Sequence, residues 1–204
     1  MNLTPNQINT LQEVFNIGVG RAAGVFNQMI DSHICLQIPL VKILSPLEAK
    51  NELIEQLGLN ALASVRLTFG GSLTGNAQLV FPTDSASKLV DLIADEQLDV
   101  PDLDAIKIGV LTELGNIVLS GIMGAMSNLL KQSFDYLLPN YSEDTIEHLL
   151  ELNDRAPHVT ILLAKTQFNV ENMPITGNII LLFKVGSFES LIAAISELMD
   201  SDDE

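Results

Sequence analysis

Two Glu-x-x-Asn pairs hold the side chains in this sequence best suited to chemistry: Glu13 with Asn16, and Glu113 with Asn116. On a helix, residues three apart are neighbours on one face, so each pair sets a carboxylate beside a carboxamide. The carboxylate offers an anion to a cation, and the carboxamide is an adaptable donor and acceptor. Continuing each face by fours gives Asn16, Gly20, Gly24 and Asn116, Ser120, Gly124. Such a row has almost no side-chain bulk and lets another backbone approach closely. A single pair of this kind is ordinarily a solvated helix face, and small residues in a row ordinarily mean helix packing. Recurrence of the same pair, off the apolar stripe of both helices, points to a functional role.

Other signatures are missing. There is no GxGxxG after a strand, no GxxxxGK[ST], no HExxH and no GxSxG. His33, His148 and His158 are not spaced as metal ligands, and only His33 has a cysteine nearby. A closed zinc site needs four ligands, so no metal centre is expected. The lone Cys35 excludes an intrachain disulfide and fits a reducing compartment. Gly18 and Gly20 sit in a helical pattern with no phosphate-loop lysine, and read as close-packing positions.

The two pairs belong to an internal repeat. At an offset of 100, Leu11, Glu13, Asn16, Ile17, Gly24 and Pro39 meet Leu111, Glu113, Asn116, Ile117, Gly124 and Pro139. At an offset of 102, Leu73-Thr74-Gly75-Asn76 resembles Ile175-Thr176-Gly177-Asn178. Each copy, residues 1–100 and 101–200, opens with a long amphipathic helix, expected over 4–29 and 104–131. In the first, Ile8, Leu11, Phe15, Gly18, Ala22, Val25 and Met29 follow the helical period and should face the core. Next come a strand (34–44, more weakly 134–138) and a short helix (46–57 and 142–152). Two hairpins follow, 64–69 with 73–81 turning at Gly70-Gly71, and 159–170 with 175–185 turning at 172–174. Closing helices are expected over 85–96 and 188–199. Residues 97–102 read as a polar junction, and 200–204 as an acidic frayed tail.

Hairpins without crossover connections indicate an α+β fold. Two copies of about three strands can join edges into one mainly antiparallel sheet of about six strands, hiding edges otherwise exposed. The expectation is one pseudo-twofold domain over 1–204, with the long helices packed on the sheet.

Composition narrows the partners. Of 204 residues, 47% are apolar, enough for a sizeable core, and the formal charge is −16. That excess disfavours nucleic acid and anionic membrane surfaces, which are held by Lys and Arg, and favours a basic patch on a protein. The apolar run 114–130 contains Asn116, Ser120, Ser127 and Asn128 and is short of the about 20 residues of a spanning helix, so it reads as a buried helix. The opening MNLTPNQINTLQE has neither a basic nor an apolar leader region, and the expectation is a cytoplasmic protein with no membrane contact.

The pattern Glu-x-x-Asn, 22 residues, then Pro occurs twice, as Glu13, Asn16, Pro39 and as Glu113, Asn116, Pro139. It is similar to the signature of the CheC/CheX/FliY family of chemotaxis phosphatases. EVFNIGVGRAA and ELGNIVLSGIMGA look like the family's two long helices, and the duplication points to the CheC branch. The resemblance implies a phosphatase that hydrolyses the aspartyl phosphate of a CheY-like receiver, with Asn16 and Asn116 orienting water and Glu13 and Glu113 anchoring the receiver's Lys. It implies no cofactor of the chain's own, since the receiver supplies Mg²⁺. A CheD-like deamidase is a further implied partner, near 142–152, and the alternative is a non-catalytic adaptor. Where relatives carry Asp or Ser one turn before the Glu, this chain has Asn9 and Gly109. The missing side chain at 109 ranks the second site below the first.

Overall fold

In the computed structural model, which describes residues 3–29, 34–93, 103–152, 160–170, 173–184 and 186–202, the long amphipathic stretches form α1 (Pro5–Met29) and α4 (Leu103–Leu130). Thr4 caps α1. Its Oγ1 accepts from the Gln7 backbone N–H at 3.3 Å, and Gln7 Oε1 accepts from the Thr4 N–H at 2.9 Å. This reciprocal pair stands with Pro5 at the first helical position, where no N–H is needed. After α1 come β1 (Ile34–Leu44), α2 (Pro46–Leu57), β2 (Leu62–Gly71), β3 (Gly75–Pro82) and α3 (Thr83–Ile93). After α4 come β4 (Phe134–Tyr136), β5 (Asn140–Asp144), α5 (Ile146–Leu149), β6 (Thr160–Val170), β7 (Met173–Phe183) and α6 (Ser187–Asp202).

The strands form one antiparallel sheet in the order β1-β6-β7-β3-β2, with β4 and β5 both beside β2. Among the described residues seven strands fill six positions, because the counterpart of β1 is split in two. The seam is β3 on β7, where Gln78 faces Ile180, its own equivalent at the offset of 102. The two glycines of the repeated Thr-Gly-Asn lie near this seam. A Cβ on Gly75 would come within 2.1 Å of the Leu182 carbonyl oxygen, and one on Gly177 within 2.6 Å of the Phe81 ring.

Alternation along the strands feeds two cores. Val65, Leu67, Leu79, Phe81, Ile179 and Leu181 face one side, together with buried residues of α1, α3, α4 and α6. Leu62, Val80, Leu163, Ile180 and Leu182 face the other, against Ala49 and Leu53 of α2 and Ile146 and Leu149 of α5. Helix α4 is long and apolar enough to cross a membrane by length and composition. Here Leu111, Leu114, Val118, Leu119, Ile122, Met123 and Met126 are buried against the sheet and α1.

Pairing displaces several expected boundaries. Gly70 and Gly71 do not turn the first hairpin: they continue β2, paired with Asp135 and Phe134, and the chain turns at 72–74. The helix expected over 142–152 shrinks to α5, because 140–144 are drawn into pairing with Leu62–Arg66 of β2; sheet partners here outweigh local helical preference. Pro174 lies in β7 rather than in a turn. Val25 of the expected core stripe is 43% exposed, whereas Val14, Val19 and Phe26 are buried. The expected tail is helical through Asp202. The junction 97–102, the turn residue 172, residues 203–204, His33, His158 and the side chain of Met29 lie outside the described residues.

Helices α1 and α4 cross at a point made by glycine. A Cβ on Gly18 would lie 2.5 Å from Ile122 Cα, and one on Gly121 would lie 2.6 Å from the Gly18 carbonyl oxygen. Gly20 and Gly24 face open space. Gly18→Ala should therefore lower unfolding free energy by about 1–3 kcal/mol through overpacking, despite its gain in helix propensity. Gly20→Ala and Gly24→Ala should raise it by up to about 1 kcal/mol each. Urea unfolding of the three variants checks the contrast; equal effects at Gly18 and Gly20 would contradict the crossing.

Candidate functional site

Helical geometry places the motifs. At roughly 100° per residue, fixing Gly18 against α4 turns Leu11, Phe15, Val19 and Ala22 toward the sheet. Gln12, Asn16 and Asn27 then point along the side that borders β1, and Glu13, Gly20 and Gly24 point to solvent. Glu13 and Glu113 are exposed, Asn16 and Asn116 are half-buried, and Gly20, Gly24 and Ser120 stand on the open side. Each motif thus presents its carboxylate next to a low-bulk row, as the spacing requires. Among the described residues neither carboxylate has an ion pair or hydrogen bond.

The two carboxamides differ in what they hold. Asn16 donates Nδ2–H to the Ile38 carbonyl at 3.1 Å and accepts from the Ile38 N–H on Oδ1 at 2.9 Å. Ile38 adjoins Pro39, and between Gln37 and Leu40 the β1–β6 register slips by one residue. The slip moves the buried positions from Ile34, Leu36 and Ile38 to Val41, the behaviour of a β-bulge. The Asn16 amide therefore takes up an edge peptide at the bulge. Gln12 Nε2 donates to the Pro39 carbonyl at 3.1 Å, and Asn27 clasps Ile34 through both its amide atoms. These three carboxamides cover the outer edge of β1. Gln12 and Asn27 escaped the reading of the sequence; their signal is position, since 12, 16 and 27 fall on one helical side.

Asn116 is free of such a tie. Its Oδ1 accepts from Ser120 Oγ at 3.2 Å, and among the described residues its Nδ2 has no protein partner. Pro139 falls in the break between β4 and β5, where the register against β2 again slips. There Leu137 N–H bonds the Thr68 carbonyl at 3.0 Å, and Leu138 is 91% exposed. Conserving the motif's spacing has not conserved the amide's job.

Three carboxylates on the far face of the sheet are held below the ordinary range. Hydrogen bonds to Ser45 lower Glu48, a bond from Lys42 at 2.7 Å lowers Glu52, and Lys50 at 2.7 Å lowers Glu147. All three lie on α2 and α5, across the sheet from the motifs, and fix those helices. Among the described residues no cluster of His, Cys, Asp and Glu could hold a metal ion.

No protein-family model matches the chain. Over 199 residues it is 28% identical to the CheY-P phosphatase CheC of Bacillus subtilis, covering 93% of each protein. Its fold is that of the Thermotoga maritima FliY structure, with a TM-score of 0.75 at 17% identity over 97% of this chain and all of that one. The FliM middle domain of H. pylori matches at a TM-score of 0.66 and 10% identity over 94% and 99% of the two chains. A CheX from Desulfovibrio desulfuricans matches at 0.54 and 13% over 84% and 99%.

The difference between the two amides has a measurable consequence. Asn16→Ala strips two bonds from a strand edge and should cost about 1–3 kcal/mol of stability. Asn116→Ala should stay within about 0.5 kcal/mol of the parent. Denaturant midpoints at unchanged slope test this, and equal losses would deny Asn16 its structural duty.

Proposed function

We propose that this chain is a member of the CheC/CheX/FliY family and accelerates hydrolysis of the aspartyl phosphate on a CheY-like receiver. The observation that carries the reading is Asn116, whose Nδ2 has no partner among the described residues, held beside Glu113, likewise unpaired among them, on a helix face with little side-chain bulk. The chain's 28% identity to a CheY-P phosphatase along nearly its whole length supports the substrate class.

Hydrolysis of an acyl phosphate asks little covalent work of a helper protein. Water attacks phosphorus in line, the P–O bond to the aspartyl carboxylate breaks, and the water's proton leaves with the phosphate or solvent. The receiver brings its own Lys and Mg²⁺. What this chain adds is position, the main lever in phosphoryl transfer. Asn116 enters the receiver's site and holds the attacking water, as the Gln of a GTPase does. Ser120 Oγ, bonded to Asn116 Oδ1, fixes the amide plane. Glu113 meets the receiver's Lys and sets the register, and the −16 charge of the chain speeds encounter with a basic face. The low bulk at Ser120 and Gly124 gives the partner backbone room.

We rank the second motif above the first. This reverses the order suggested by Gly109, because Asn16 must release Ile38 before it can hold a water. Glu13 and Asn16 are then a weaker site whose amide is chiefly structural. A cytoplasmic location follows from such a partner. A CheD-like partner near 142–152 rests on the family resemblance alone.

Phosphate release from a phosphorylated receiver, with and without the chain, tests the reading. Asn116→Ala should lower kcat tenfold or more with KM within about threefold, since it removes an interaction made in the transition state. Glu113→Lys should chiefly raise KM, and Asn16→Ala should keep most of the activity below its own unfolding range. A double Asn16→Ala/Asn116→Ala variant as active as the parent would leave a non-catalytic adaptor as the better account.

A further inference from the structure

Gly109 lies one turn before Glu113 in α4 and has no structural reason to be glycine. Its φ is not in the left-handed region, and a Cβ built on it would meet nothing within 4 Å. A glycine inside a helix costs about 1 kcal/mol relative to alanine. What it leaves is space. A cavity of about 270 Å³ is walled by Phe26 of α1, Ile93 of α3 and Val110, Leu114 and Ile117 of α4, and Gly109 and Glu113 complete the lining. Among the described residues Glu113 is its one polar side chain.

The equivalent positions around the first motif are filled differently. Met126 and Ile195 stand at the repeat positions of Phe26 and Ile93, and both are fully buried. Gln7 Nε2 of α1 donates to Ser196 Oγ of α6 at 2.9 Å, tying those helices together. Asn9 occupies the place of Gly109.

We propose that Gly109 is a specificity-determining residue: it keeps open a socket beside Glu113 that receives an apolar side chain of the phosphorylated receiver. The inference rests on the reading above that Glu113 and Asn116 face such a receiver. Water in this socket would find no partners on the apolar walls, and an apolar group entering it leaves water at a gain. The socket is continuous with Glu113, so its occupant stands close to the cation that Glu113 meets. The partner surface is thus an apolar side chain the size of Leu, Met or Phe next to the receiver's Lys. Receivers with a small or charged residue at that place are poor substrates.

Phosphate release is measured for the full chain and its Gly109→Ala and Gly109→Leu variants at several receiver concentrations. Both variants should unfold at higher temperature than the parent, because helix propensity rises. Gly109→Leu fills the socket and should raise KM about tenfold with kcat within about twofold; Gly109→Ala should shift KM by less than about threefold. A stabilised Gly109→Leu with the parent's KM would overturn the socket while leaving the phosphatase reading standing. Should the parent show no phosphatase activity, affinity for the receiver held phosphorylated-like by beryllium fluoride takes the place of KM. Equal affinity of parent and Gly109→Leu, or no binding by the parent, would then overturn the proposal.

Discussion

The backbone contact between α1 and α4 at Gly18 and Gly121 is the constraint on which the arrangement turns. With no Cβ in the way, the two long helices close to main-chain distance. That proximity lets both cover the same face of one sheet. It also fixes the rotation of α1 about its axis, because a side chain at Gly18 has nowhere to go. The apolar stripe then meets the sheet, the carboxamides reach the β1 edge, and Glu13 with Gly20 and Gly24 is left to solvent. The geometry of the motif surface is a consequence of packing on the opposite side of the helix.

Duplication solves one problem twice and then departs from symmetry. Pairing β3 with β7 joins the halves and leaves two outer edges, which are liabilities unless covered. At the first edge a bulge at Pro39 disturbs the ladder, and Gln12, Asn16 and Asn27 take up peptide groups there. At the second, the strand breaks into β4 and β5 on β2, and Asn116 bonds Ser120 rather than that strand. One amide of the two motifs is engaged with the backbone of a strand 22 residues on, and the other with a serine four residues on.

The sequence by itself determined the repeat, the α+β class, the long helices and the side on which the motifs lie. Those are consequences of periodicity and capping, which act over a few residues: Thr4-Pro5 starts α1 and Ser45-Pro46 starts α2 where local rules put them. The recurrence of Glu-x-x-Asn off the apolar stripe was also visible, because a helix face is set by spacing alone. Only the tertiary structure decided the rest. Gly70 and Gly71 read as a turn until β4 supplied them with pairing partners, and 142–152 read as a helix until β2 claimed its first residues. That Asn16 clasps Ile38 while Asn116 bonds Ser120 depends on which peptide groups an edge strand leaves unpaired. Likewise the open side of Gly109 depends on how α1, α3 and α4 meet. The strand partner of Asn16 and the walls of the cavity are set by residues distant in the chain, whereas the Asn116–Ser120 bond follows from a spacing of four.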